Sequence, residues 1–142
     1  MVKVEVSDIE VSETAGYIYC KDENGFTYRF STDYEKAKLI SLLLHGVYVP
    51  ANSIYELFLN LLKATGLTID SIVILDGYKN VALINVSDGS KVKSFPVSID
   101  DGLILALLSN SPLFIKKEAC FLDIDDLEKY VWYRFLKELD LC

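Results

Sequence analysis

SIVILDGYKNVALINVSDGSKVKSFPVSIDDGLILALL, residues 71–108, is the stretch that decides the fold. Ser71–Leu75, Val81–Val86 and Val92–Val97 are short runs rich in β-branched and aromatic residues, with Asp76-Gly77 and Asp88-Gly89 between them. Runs of this kind fit a pleated, half-buried surface, and Asp-Gly supplies the tight turns that join them. They read as an antiparallel meander. At Ser98 the pattern changes. Two acids, Asp100 and Asp101, open an apolar segment that runs to Leu108, as a helix begins with acids in its first turn. Leu113–Ile115, after Pro112, reads as a short strand.

On the N-terminal side the same grammar recurs. Val2, Val4 and Val6 alternate with Lys3, Glu5 and Ser7, which is strand periodicity. Tyr17–Lys21 and Phe26–Phe30 flank Asp22-Glu-Asn-Gly25, and Asn-Gly favours the positive φ of a hairpin turn. Thr32-Asp-Tyr-Glu35 fits a capping box for a helix that runs to Gly46, and Ser53-Ile-Tyr-Glu56 fits a second. After it, Ile54, Leu57, Phe58, Leu61 and Leu62 repeat at i, i+3, i+4, i+7 and i+8. This predicts one apolar face buried against the sheet. A last helix is expected from about Asp125, with Leu127, Val131, Phe135 and Leu139 along one line. The class is α+β: an antiparallel sheet or meander with helices packed on it, in a single domain over 1–142. Tyr28-Arg-Phe-Ser-Thr-Asp33 and Ser94-Phe-Pro-Val-Ser-Ile-Asp100 each lead from a strand into an apolar helix. This is a faint echo that fits an internal duplication and equally fits ordinary reuse of the unit.

Composition narrows the function classes. Hydrophobic residues make up 51% of the chain and charged residues 25%, which excludes a disordered segment. The longest apolar runs, Leu39–Leu44 and Leu103–Leu108, are far short of the ~20 residues that span a bilayer. No apolar stretch suited to a signal peptide opens the chain, so a cytoplasmic location is expected. Cys20, Cys120 and Cys142 are widely separated and contain no CxxC pair, which argues against a disulfide framework and a zinc site. Net charge is −7, and the densest basic spots are the modest pairs Lys91/Lys93 and Lys116/Lys117. Nucleic-acid binders gather Lys and Arg against phosphate, so a nucleic-acid partner is allowed but not favoured. The apolar and aromatic excess, with Trp132 and Tyr133 off the main line of the last helix, leads to the expectation of a homo-oligomer, most simply a dimer.

The ordered set of elements from about Tyr17 to Glu118 resembles the bifunctional-nuclease domain family. Ala37–Val47 is similar to that family's first helix, Pro50–Leu62 to its link and second helix, Ser98–Leu108 to its third, and Pro112-Leu-Phe-Ile115 to its closing strand. The resemblance divides the chain into a core over 17–118 and a C-terminal helical extension over 119–142. It implies a nuclease that hydrolyses DNA or RNA phosphodiesters with a metal such as Mg²⁺ or Mn²⁺. The family's carboxylates fall on or beside Glu35, Glu56, Asp100 and Asp101. Tyr55 stands where the family has His, and Ala51, Ser98 and Ile99 stand where it has Arg or Arg-Pro.

Glu35, Glu56, Asp100 and Asp101 are therefore the candidate catalytic residues. Carboxylates can hold a hard cation and activate water at phosphorus. The competing reading is structural, since each lies in the first turn of an expected helix, where an acid caps free N–H groups and complements the dipole. His45, the single histidine, sits beside Gly46 at a helix end and reads as a cap or surface residue. Tyr17, Tyr19 and Tyr28 share the hairpin and could stack bases or pack the sheet. The alternative to a nuclease is a catalytically silent interaction or oligomerisation domain on the same fold. Convergence of the four acids in one cleft would separate the two.

Overall fold

Turn chemistry and period-2 alternation build most of the sheet. In the computed structural model, which describes residues 1–47, 53–77 and 79–116, the strands are β1 (Val2–Val11), β2 (Ala15–Asp22), β3 (Thr27–Asp33), β4 (Thr68–Asp76), β5 (Val81–Ser87), β6 (Val92–Val97) and β7 (Leu113–Ile115). Three helices accompany them: α1 (Tyr34–Leu44), α2 (Ile54–Ala64) and α3 (Ile99–Ser109). The protein is α+β, as expected. The expected C-terminal helix, Tyr48, Pro50, Ala51, Tyr78, Lys117, Cys120, Trp132, Tyr133 and Cys142 lie outside the described residues.

The strands form one seven-stranded sheet in the order β3-β2-β1-β7-β4-β5-β6. Every neighbouring pair is antiparallel except β4 with β7. Two three-strand meanders, β1-β2-β3 and β4-β5-β6, thus flank the short β7, and their first strands run opposite to each other. Each meander is followed by a helix, α1 in one case and α3 in the other, with α2 in the connection between them. The strand-to-helix echo in the sequence is the junction of each unit. β1 precedes the span of the family resemblance, yet it pairs with both β2 and β7, so the sheet's core extends beyond 17–118.

One contiguous core joins the units. Ile18, Cys20 and Phe30 come from the first meander, Ile72, Ile74 and Ile84 from the second, and Leu113 and Ile115 from β7. Ile40 of α1 and Leu103 and Ile104 of α3 close it from the helical side. Alternation explains the sorting: β2 buries Gly16, Ile18, Cys20 and Asp22 and turns Tyr17 and Lys21 outward. Because Cys20 pairs with Tyr28, Tyr28 follows it into the core, on the face opposite Tyr17 and Tyr19. The three tyrosines therefore do not form one stacking platform. In the hairpin turn Gly25 has φ +85°, and the Asp22 carboxylate accepts the N–H groups of Asn24 and Phe26 and the Tyr28 hydroxyl.

Two expectations need correction. The cap of α1 is Asp33, whose side chain accepts the Lys36 N–H at 2.8 Å, and not Thr32, which is buried at the end of β3. The larger correction concerns α2. Tyr55, Phe58, Leu59 and Leu62 are half-buried against the core, whereas Ile54, Leu57 and Leu61 are 70%, 53% and 57% exposed. The helix is apolar on two faces, so the i, i+3, i+4 pattern could not say which face meets the sheet.

Candidate functional site

The N-termini of all three helices meet at one polar cluster. Asp100 and Asp101 occupy the first turn of α3, behind its N-cap Ser98. Thr32 arrives at the end of β3, Lys36 on the first turn of α1, and Tyr55 on the first turn of α2. The capping residues Asp33 and Ser53 fix where α1 and α2 start, and so aim Lys36 and Tyr55.

The cluster's donors converge on the two carboxylates. One Asp100 oxygen accepts the Thr32 hydroxyl at 2.9 Å. The other accepts the Asp101 N–H and the Ser98 hydroxyl, each at 2.8 Å, with the Lys36 ammonium at 3.5 Å. Asp101 Oδ1 accepts the Tyr55 hydroxyl at 2.5 Å and faces Lys36 Nζ at 3.2 Å. Asp101 Oδ2 lies 2.8 Å from Ser98 Oγ. Ser98 has one hydroxyl proton for two carboxylate oxygens, so it bridges them rather than satisfying both at once. Asp100 is 9% exposed; Asp101 and Lys36 are half-buried.

The protonation states are held by the same contacts. Burial works against the charged form of Asp101, but hydrogen bonds from Tyr55, Ser98 and Lys36 outweigh it and hold the carboxyl below its ordinary value. Burial likewise opposes the Lys36 ammonium, yet the hydrogen bond to Asp101 and the charges of both acids raise its pKa. Burial first, and then the hydrogen bond and charge of Asp101, push the Tyr55 phenol well up. The arrangement is a carboxylate, an ammonium and a neutral phenol, each locked in its resting form. To act as a general base or nucleophile, Lys36 or Tyr55 would need a pKa shifted downward, toward the operating pH, and both are shifted upward.

Of the four candidate acids, Asp100 and Asp101 come together and the other two stay apart. Glu35 is exposed on α1, and Glu56 is half-buried on α2, where its N–H is capped by Ser53 Oγ at 3.2 Å. Neither makes a hydrogen bond or ion pair to the cluster among the described residues. No group of three or more Asp, Glu, His and Cys side chains there is placed to hold a metal ion. His45 is exposed, and its Nδ1 donates to the Ser41 carbonyl at 2.7 Å, the capping role expected of it. Arg29 stacks over the Tyr17 ring at 5.0 Å on the outer face of the hairpin.

Sequence reasoning did not assign Thr32, Lys36, Tyr55 and Ser98 to the acids. The signal available was the echo, which places a polar strand end and a helix start at equivalent points of both units. Only the folded sheet brings Thr32 to an acid 68 residues away. Compared with known proteins, the chain matches no family model and no curated protein. No described helix is long and apolar enough to cross a membrane.

Proposed function

We propose that the chain is a non-catalytic interaction domain with bifunctional-nuclease-like architecture. The observation that carries this reading is the engagement of Asp100 and Asp101 by Lys36, Tyr55, Ser98 and Thr32. Metal-assisted hydrolysis needs carboxylate oxygens open to Mg²⁺ or Mn²⁺ and room for an attacking water. Here those oxygens already hold α1, α2, α3 and β3 together, as a structural clasp would. The net charge of −7 further disfavours a polyanionic partner. A protein partner, a second copy above all, suits the exposed apolar residues of α2 better. A cytoplasmic setting belongs to the same reading: Cys20 is a free, buried thiol whose pKa burial pushes up to about 12, an inert core residue.

Hydrolysis of DNA or RNA is the second reading, because Asp100 and Asp101 do lie side by side at the helix start that the family resemblance singles out. Purified protein assayed on single- and double-stranded DNA and RNA with Mg²⁺ or Mn²⁺ separates the two. The interaction reading expects no cleavage above a protein-free control. Metal-dependent cleavage that disappears in Asp101→Asn would overturn it.

A further inference from the structure

Helix α2 is held by less than either of its companions. α1 buries Ala37 and Ile40, and α3 buries seven residues between Ile99 and Ala106. α2 buries none. Tyr55, Phe58, Leu59 and Leu62 meet the core but are only half-buried. Among the described residues, one side-chain hydrogen bond joins α2 to another element, from the Tyr55 hydroxyl to Asp101 Oδ1. The helix is also complete in itself. Backbone groups at a helix end need partners, and the segment from Ser53 to Leu67 supplies its own at both ends. Ser53 Oγ accepts the Glu56 N–H at 3.2 Å. The Thr65 hydroxyl lies 2.9 and 3.0 Å from the carbonyls of Leu61 and Leu62, and the Leu67 N–H donates to the Leu62 carbonyl at 2.8 Å. Leaving the core would therefore strand little of the helix's backbone.

We propose that α2 is a latched helix: it leaves and rejoins the body formed by α1, α3 and the sheet as one unit, and the Tyr55–Asp101 hydrogen bond is its latch. Segments with few buried apolar contacts open at a lower free energy than the core, and they do so as cooperative units. Gly66, at φ +75° just past the helix, is the pivot, since Leu67 is packed on the core again. The body keeps its own ties when α2 leaves. Lys36 Nζ lies 3.2 Å from the same Asp101 oxygen and Ser98 Oγ 2.8 Å from the other, so the carboxylate stays paired and the contact between α1 and α3 persists. Opening bares Tyr55, Phe58, Leu59 and Leu62 beside the already exposed Ile54, Leu57 and Leu61. That loss of burial keeps the open form a minor state.

Native-state hydrogen exchange of the full chain, resolved by residue across low urea concentrations, tests this. The amides of Phe58 to Lys63 should exchange faster than those of β2 and β5, and with a weaker dependence on urea, because the opening exposes less surface than unfolding does. Tyr55→Phe keeps the ring and removes only the latch. It should speed α2 exchange by about tenfold or more, the scale of a hydrogen bond to a charged group. Ile18→Val acts on β2, which stays folded while α2 is open. It should speed the sheet amides and leave those of α2 unchanged. α2 amides that exchange together with the sheet, at one rate and one urea dependence, or that quicken equally with Ile18→Val, would overturn the separate unit. α2 exchange unmoved by Tyr55→Phe would overturn the latch.

Discussion

The Asp101 side chain meets Tyr55, Ser98 and Lys36, and these contacts have a pH signature. Its folded pKa lies below the ordinary 3.8, so its contribution is present above that value and is lost as pH falls through the lower folded one. Lys36 is raised above 10.5, so its contribution is complete below that pH and is lost as pH rises through the folded value. Stability should therefore form a plateau from about pH 4 to about pH 10 with respect to this pair. Asp101→Asn should cost about 1 kcal/mol at pH 7, because the pair is partly solvated and screened. Urea melts at pH 7 and pH 3 should show the mutant losing less than wild type on acidification; equal acid losses would remove Asp101 from this account. At this scale the sequence was partly legible. Asp100 and Asp101 stood out as a paired acid at a helix start. Thr32 and Asp33 are both good caps, and local reasoning chose the wrong one. Thr32 is instead drawn inward by Asp100, a contact that no local window contains.

Elements were legible wherever turn chemistry punctuated them. Val92–Val97 and Leu113–Ile115 form over the residues their patterns mark, and the Asn-Gly hairpin sits where its φ requirement puts it. The docking of helices was less legible, because periodicity finds apolar positions without saying what they touch. Burial now ranks them. Leu103→Ala, in the fully buried centre of α3, should cost about 2–5 kcal/mol. Leu61→Ala should cost less than about 0.5 kcal/mol in dilute solution, the scale of a surface change. Two glycines should behave in opposite ways. A Cβ on Gly16 would lie 2.4 Å from Ala37 Cβ and 3.1 Å from the Glu10 carbonyl oxygen, so β2 and α1 approach too closely for any side chain there. Gly16→Ala should destabilise by about 1–3 kcal/mol. A Cβ on Gly102 would meet side chains at 3.4–3.5 Å, ordinary contact, and alanine is the better helix former by about 1 kcal/mol. Gly102→Ala should be neutral or stabilising. Equal losses in the two variants, measured by urea melts, would contradict this packing. The outer edge of the sheet at β6 is kept from pairing with strangers by other means: Lys93 and Pro96 interrupt a strand that also exposes Val92 and Phe95.

At the scale of the whole molecule, two three-strand-and-helix units share β7, and the clasp joins the helix of one to the helix of the other. Lys36 and Thr32 belong to the first unit, Ser98, Asp100 and Asp101 to the second, and Tyr55 to the helix between. The acids are thus placed where they hold the halves in register, and holding is the role we propose for them. A resident divalent ion would compete for the same oxygens, and an ion that binds only the folded state stabilises it as its concentration rises. The most direct test is the thermal melting of wild type with increasing Mg²⁺ or Mn²⁺, at constant ionic strength. With the acids acting as a clasp, no saturable rise in melting temperature is expected. A saturable rise in wild type that is lost in Asp101→Asn would contradict it, and would turn the clasp back into a metal site.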